Sequence, residues 1–393
     1  MMGPMTSSET ATTENIYSDR CAAILEHMRE DDMSAMILGT GPDLEFFTGL
    51  DVSSHERLTA LVIQADGDDF LIAPAVDAGK AVRERTAEIG VKLIPWQDGQ
   101  SPYELIIRNL VVPDIADGGF SGRGVGLGAS LTADHVLEIQ NGLAGLNHGC
   151  VLAGPVIDQL RMVKTDHEIE ELAAAGAAID RVHARVPELL QPGRTEAEIA
   201  EEITAMILEE GHVSVDFVIV GSGPNGADPH HSFSDRKLRT GELVVVDIGG
   251  ALPSGYRSDC TRTYLVADSD PQVITERVLD MYRVLEKAQA ASVKAVRPGV
   301  TAGEIDRVAR DAIAAAGYGE QFIHRTGHGI GLTTHEAPSI SSGSDTVLQP
   351  GMAFSVEPGI YFTGDVGARI EDIVVVTEDG VRLLNNRPRS LFW

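Results

Sequence analysis

The sequence predicts an α+β protein: a C-terminal domain built as two related halves, preceded by a smaller α/β domain. Up to about residue 157, short apolar runs alternate with stretches of helical length and period. Beyond that point one unit occurs twice: a long helix, a Pro-Gly stop, a shorter helix opening on Thr, then strands. A weak repeat of this kind implies two related α+β halves, and a cleft between such halves is a common place for a site.

Residues 1–16 read as a disordered tail, and the first domain as residues 17–157. The opening MMGPMTSSETATTEN is polar and lacks both a basic n-region and an apolar h-region, so it is no signal peptide. An amphipathic helix from about 17 leads into a strand, Met33–Leu38, closed by Gly39-Thr40-Gly41-Pro42. Strands Leu58–Gln64 and Phe70–Ala73 flank Ala65-Asp66-Gly67-Asp68, a hairpin turn. A helix over about 75–89, a strand Val91–Pro95 and a helix over 102–112 follow, then a Gly-rich stretch from Gly118 to Gly128 around a short strand. Gly122-Arg123-Gly124-Val125-Gly126 is too loosely patterned for a phosphate-binding loop.

The second domain is read as residues 158–393. After a connection over 151–164, a long helix runs from Thr165 to about Leu190, capped by Thr165 or Asp166 with Glu168 close behind. Pro192-Gly193 stops it, and Thr195 with Glu198 forms a capping box for a helix that ends at Gly211. The unit returns as a helix over 272–296, Arg297-Pro298-Gly299, and a helix over 301–316 ending at Gly317.

With 43% apolar residues in 393, the chain has material for a real core. Lys plus Arg total 31 against 59 Asp plus Glu, a net charge of −28 that excludes nucleic acid and anionic membranes as partners. Low Lys with surplus carboxylate also fits a protein that stays soluble in high salt. Cys21, Cys150 and Cys260 lie far apart in no metal or disulfide spacing, which fits a reducing, cytoplasmic setting. No window approaches eighteen continuous apolar residues.

Five side chains stand where a polar group should be costly. Asp247 ends the apolar run Leu243–Val246, and Asp259 opens the strand Asp259–Val266 after a turn, so the two carboxylates can lie side by side across a hairpin. His328 sits in Gly327-His328-Gly329-Ile330-Gly331, where glycines let backbone approach closely. Glu357 ends the strand before Pro358-Gly359, and Glu371 precedes Asp372 and the apolar run Ile373–Val376. An unpaired buried charge costs several kcal/mol. Any one of these acids alone would be read as paired with an Arg. Two Asp, two Glu and one His together form an oxygen-rich site suited to a pair of divalent ions. Two metals about 3.5–4 Å apart can hold a bridging hydroxide and clamp a hydrolytic transition state. Manganese is expected first, with cobalt, zinc or iron also compatible with this ligand set.

The same segments resemble a known family. VVVDIGG (244–250), SDCTRTY (258–264), HRTGHGIGLTTHEAP (324–338), GMAFSVEPGIY (351–361) and ARIEDIVVV (368–376) are similar, in order, to the Xaa-Pro aminopeptidase and prolidase group of the M24 metallopeptidases. The segment 221–242 fits the same group, and FFTGL (46–50) with a strand-rich pattern resembles its N-terminal domain. The resemblance implies a two-halved "pita-bread" fold with a creatinase/prolidase-type N-terminal domain. It implies that Asp247 chelates one metal, that His328 and Glu357 hold the other, and that Asp259 and Glu371 bridge them. Glu357 would also act as general base. His230, in preference to His231, and His335 would contact the substrate carbonyl and stabilise the tetrahedral intermediate. Arg369, two residues before Glu371 and on the same strand face, would orient a ligand carboxylate or a substrate group.

The expected substrate is a peptide with proline in second position, cleaved at the Xaa-Pro bond as a dipeptide or at a peptide's N-terminus, by a homodimer. Some dipeptide-restricted members carry a basic residue just after their His-Glu-x-Pro motif; Ser339 stands there in this chain and favours the aminopeptidase or a broader form. Two other functions compete. Creatinase-like or ectoine-hydrolase-like members of the scaffold act on small amidines or amides, but creatinase-like members generally lose part of the metal set. A catalytically inactive binding module would usually have lost ligands too.

Overall fold

Buried apolar strands and capped helices build the first of two units, residues 1–160, in a computed structural model that describes residues 7–53, 56–111, 124–146, 148–266 and 274–391. The elements are α1 (Ser7–Glu30), β1 (Met33–Gly39), α2 (Pro42–Thr48), β2 (Ala60–Gln64), β3 (Phe70–Pro74), α3 (Lys80–Glu88), β4 (Lys92–Trp96), α4 (Pro102–Asn109), β5 (Gly124–Leu127), α5 (Ala133–Ala144), β6 (Cys150–Leu152) and α6 (Gly154–Met162). Their sheet runs β4-β3-β2-β1-β5-β6. The expected hairpin joins β2 to β3 as an antiparallel pair.

Several boundaries differ from expectation. Helix α1 begins at Ser7, inside the segment read as a tail. Helix α3 begins at Lys80 and not near 75, because the amides of Asp77 and Ala78 both donate to the carbonyl of Pro74 in a turn. Helices α2 and α5 were not anticipated. In α5 the signal was present: His135, Ile139 and Leu143 recur every fourth residue and are buried. Residues 118–123 of the Gly-rich stretch lie outside the described residues.

The second unit, residues 161–393, contains α7 (Asp166–Leu189), α8 (Glu196–Glu209), β7 (Ser214–Ser222), β8 (Leu243–Ala251), β9 (Arg257–Leu265), α9 (Glu276–Ala295), α10 (Ala302–Ala315), β10 (Gly327–Gly329), β11 (Glu336–Ile340), β12 (Ala353–Val356), β13 (Gly359–Phe362), β14 (Val366–Arg369), β15 (Asp372–Thr377) and β16 (Gly380–Leu383). Complete capping boxes open α7 (Thr165/Glu168), α8 (Thr195/Glu198) and α10 (Thr301/Glu304). Helix α9 is capped by Thr275, so it begins after the expected 272. Among the described residues no helix is long and apolar enough to cross a membrane.

The repeat is written into the hydrogen bonds. Gly193 N–H donates to Leu238 O, and Gly299 N–H to Leu348 O. Gly241 N–H donates to Val266 O, and Gly351 N–H to Val376 O. Strand pairing follows: Val244↔Tyr264 and Val246↔Arg262 across β8–β9 become Phe354↔Val374 and Val356↔Asp372 across β12–β15. Each half therefore buries a like set of strand residues under its own two helices: Val244 and Val246 under α7 and α8, Phe354 and Val356 beside α9 and α10. In this register Asp247 corresponds to Glu357, and Thr261 to Glu371. The carboxylates meet because equivalent strand ends from the two halves converge.

Candidate metal centre and active site

The five expected ligands line one cavity of about 1020 Å³, together with His230, His335, Arg369, His324 and Arg325. Each ligand is placed by its strand. Asp247 on β8 faces Thr261 on β9, and Asp259 faces Gly249. The two aspartates are thus diagonal neighbours on one sheet face, two positions apart, where a side-by-side pair was expected. His328 stands on β10 between two backbone contacts that tolerate no side chain. A Cβ on Gly327 would fall 1.9 Å from Ser355 O, and one on Gly329 2.0 Å from Ala337 O.

His328 is oriented on both sides. Its Nδ1 lies 3.1 Å from Gly329 O, which accepts from it, and its Nε2 is turned toward the carboxylates. Nε2 is 3.1 Å from Glu357 Oε1 and 3.7 Å from Asp259 Oδ2. Ser355 supports the group from behind: its hydroxyl accepts from His328 N–H at 3.0 Å and donates to Glu357 Oε1 at 3.1 Å. Asp259, His328 and Glu371 each place a ligand atom within 4.8 Å of the other two.

The electrostatics of the cluster call for cations. Burial raises Asp259 well above its ordinary range, and Glu371, Asp247 and Glu357 push it further. Burial likewise raises Glu371, with Glu357 and Asp247 adding to it. Asp247 is raised by burial against the pull of Arg369. Glu357 goes the other way: burial opposes ionisation, but the hydrogen bond and charge of His328 outweigh it and hold the group at about 2. Among the described residues, Asp247 Oδ1 and Glu371 Oε1 are buried with no hydrogen-bond partner. Orphaned carboxylate oxygens facing a shared cavity are the mark of a donor set that divalent ions complete.

Arg369 sits behind the candidate ligands. Its Nη2 is 2.7 Å from Asp247 Oδ2, its Nη1 donates to the Tyr361 hydroxyl at 2.8 Å, and its Nε donates to Thr261 Oγ1 at 3.1 Å. Thr261 in turn donates to Glu371 Oε2 at 2.8 Å. Tyr361 continues the chain to His324 Nε2 at 2.9 Å. The sequence reading did not single out Thr261, Ser355 or Tyr361. Thr261 could have been found from its position two residues after Asp259, on the same strand face, and Tyr361 ends a segment already noted.

The histidines at the mouth divide cleanly. His230 is exposed to the cavity, whereas His231 turns away and binds Glu196 Oε2 at 2.9 Å. The ring of His335 meets that of His328 edge-on, 4.1 Å between centroids. Burial, with His328 and Arg325, lowers the pKa of His335 to about 4, so it is neutral at pH 7. Cys260 is wholly buried in the core of the first half.

Comparison with known proteins agrees with this geometry. Residues 170–378 match metallopeptidase family M24, and residues 20–163 match the creatinase/prolidase N-terminal domain. The chain is 48% identical over 376 residues to the probable dipeptidase PepE of Mycobacterium tuberculosis, covering 96% of each. It is 36% identical over 363 residues to the Xaa-Pro dipeptidase of Lactobacillus helveticus, covering 88% of this chain and 91% of that one. The crystal structure of dipeptidase PepE from Mycobacterium ulcerans has a TM-score of 0.88 at 48% identity, covering 96% of this chain and 98% of that one.

Proposed function

The chain belongs to metallopeptidase family M24, and from that premise we propose that it is a two-metal peptidase cleaving the bond between a residue and a following proline. The observation that carries this reading is the pair of orphaned oxygens, Asp247 Oδ1 and Glu371 Oε1, in the cavity shared with Asp259, His328 and Glu357. His328 and Glu357 would hold one ion, Asp247 the other, and Asp259 and Glu371 both. Manganese is the first choice among the divalent ions that this ligand set accepts. When bound, the ions supply Lewis-acid activation of a water nucleophile and of the scissile carbonyl.

The remaining work belongs to the chain. Glu357, ionised and oriented by Ser355, takes the proton from the attacking water and passes it to the leaving proline nitrogen. Neutral His335, with His230 across the mouth, donates to the carbonyl oxygen as charge develops there. Arg369 holds Asp247 and, through Thr261, Glu371 in fixed orientation. Phe217 and Ile219 on β7 with Phe233 give the cavity an apolar wall, suited to a flat proline ring and an uncharged neighbour. A homodimer in the cytoplasm, as expected from the sequence, completes the reading.

Hydrolysis of Ala-Pro, Gly-Pro, Ala-Pro-Ala and Ala-Ala, after chelation and re-addition of Mn²⁺, Co²⁺ or Zn²⁺, tests it. Metal-dependent cleavage before proline is the expected result. Two bound ions without such cleavage would move the assignment to small amidine or amide substrates, and absence of any bound ion would overturn the mechanism.

A further inference from the structure

Helix α8 opens on a carboxylate that has no part in the chemistry described above. Glu196 is 0% exposed, yet groups from Ser222, Asn225, His231 and Ser234 all converge on it. Its Oε1 accepts from the Ser222 amide at 2.7 Å and from the Ser222 hydroxyl at 2.6 Å. Its Oε2 accepts from the Ser234 hydroxyl at 2.7 Å and lies 2.9 Å from His231 Nε2. Asn225 Nδ2 is 3.1 Å from both oxygens. Burial opposes its ionisation, but the hydrogen bonds of Ser222, His231 and Ser234 outweigh it and hold the group below its ordinary range.

The internal repeat shows that the fold does not require a charge at this place. Thr195 pairs with Lys237 and Thr301 with Val347. Glu196 N–H donates to Arg236 O, and Ala302 N–H to Thr346 O. Ala302 is therefore the counterpart of Glu196, buried in its own half with a plain methyl group. The two halves differ in what the facing segment reaches. Pro229, His230, Ser232 and Phe233 line the cavity, whereas none of the corresponding residues 341–346 does. The buried carboxylate occurs in the half whose loop enters the site.

His230 is held between the residues that Glu196 gathers. Its N–H donates to Asp228 Oδ1 at 3.0 Å, and Asp228 N–H donates to Asn225 O at 3.1 Å. On the other side His231 N–H donates to Asp228 O at 3.1 Å. Asn225 before His230, and His231 and Ser234 after it, thus end on one carboxylate. Resting on the peptidase reading above, we propose that Glu196 is a positioning residue, which fixes the loop 222–234 so that His230 meets the substrate carbonyl. A donor misplaced by about 1 Å can cost about 10²-fold in rate, so the setting of this loop has a kinetic consequence.

The test takes Glu196→Ala, His230→Ala and the double variant, each metal-loaded, and measures metal content, hydrolysis of Ala-Pro and Ala-Ala, and amide hydrogen exchange. His230→Ala should lower kcat about 100-fold. Glu196→Ala should lower it about 10- to 100-fold at wild-type metal content, and the double variant should fall no more than about twofold below His230→Ala, because the loop then has no ring to place. Exchange in residues 222–234 should quicken about tenfold or more in Glu196→Ala and keep the wild-type rate in residues 341–346. Glu196→Gln, which retains one acceptor oxygen, should recover part of the loss. Wild-type kcat in Glu196→Ala, or effects that multiply in the double variant, overturn the proposal. If Glu196→Ala does not fold, His231→Ala replaces it in the same cycle, with an expected fall of about tenfold that vanishes in the His230→Ala background. Where only Ala-Ala is cleaved, the proline preference fails and the cycle is read on Ala-Ala. A wild type that cleaves neither dipeptide overturns the peptidase reading; unchanged exchange in 222–234 overturns the role of Glu196 whatever the substrate.

Discussion

Arg262 and Asp372 hold the same place in the two halves of the catalytic unit, and they bind each other. Arg262 is the strand partner of Val246, and Asp372 that of Val356 one repeat later. Their side chains, 2% and 0% exposed, meet at 2.7 Å. The approximate twofold axis thus runs just behind the site, between Thr261 and Glu371, where Glu371 N–H donates to Thr261 O at 3.1 Å. Arg262 also donates to the carbonyl of Glu371 and to those of Arg387 and Pro388. Asp372 receives Gln289 at 2.7 Å and Arg389 at 2.6 Å. One ion pair ties both halves and the C-terminal segment to the backbone of Glu371, a proposed metal ligand.

Removing Asp372 leaves the buried Arg262 without a charged partner, whereas removing Arg262 leaves Asp372 with Arg389. Asp372→Asn should destabilise the protein by about 3–5 kcal/mol, and Arg262→Met by less, since Arg389 still pairs Asp372. The double variant should lose less than the sum, because Arg262 is then no longer stranded. Urea unfolding of the metal-free protein at pH 7 measures all three. Single variants as stable as wild type would show that the halves are joined elsewhere.

Thr261 passes a hydrogen bond from Arg369 to Glu371, so Thr261→Val keeps the shape and removes the relay. Metal affinity should fall about 10- to 100-fold. Thr261→Ser should restore it. Competition with a chelator of known affinity reads the change, and unaltered affinity in the valine variant would remove Thr261 from the support of the site.

The proposed ligands were legible in the sequence as candidates, and the side chains that support them were not. Asp247, Asp259, Glu357 and Glu371 each adjoin an apolar strand, and a costly residue in a strong local pattern is visible without a structure. Helix starts at Thr195 and Thr301 were legible for the same reason, since a capping box lies within four residues. Thr261 acts through contacts with Arg369 and Glu371 that close only when strands from both halves meet, and Tyr361 through Arg369 and His324, which other elements bring to it. Only its place two residues after Asp259, on the same strand face, distinguishes Thr261 from an ordinary strand threonine. Arg262 and Asp372 became recognisable as equivalents only through strand register.

Glu336 gives the second unit an acid limit. Its burial opposes ionisation, but Lys164 and Arg161 outweigh that and hold its pKa at about 2, against an ordinary 4.5. Between those values the unfolded carboxyl binds a proton and the folded one does not. The stabilisation is therefore complete above about pH 4.5 and disappears as the pH falls toward 2, a change of about 3 kcal/mol. Glu336→Gln, which strands two cations, should be less stable than wild type at pH 7 and lose less on acidification. Parallel urea midpoints for the two proteins from pH 3 to 6 would refute this.

His335 is assigned to the developing oxyanion and not to the metals. His335→Ala should lower kcat about 10²-fold or more while metal content stays at the wild-type value. Because burial and neighbouring cations hold its pKa at about 4, His335 is neutral from pH 5 upward and should contribute no limb near 6.5 to the pH profile of kcat. Joint loss of metal and activity would make it a ligand or a support for His328.

Asp259→Asn separates the two roles of a buried carboxylate that the other acids crowd. In the metal-free protein Asp259 is repelled by Glu371, Asp247 and Glu357, so an amide in its place relieves repulsion. The metal-free variant should melt no lower than metal-free wild type. Added Mn²⁺ should reverse the order, since wild type gains about 2.7 kcal/mol at one hundred times the dissociation constant and the variant, lacking a shared ligand, gains little. Turnover should be abolished. A variant with near-normal turnover and full metal content would show that Asp259 is not the residue on which both ions depend.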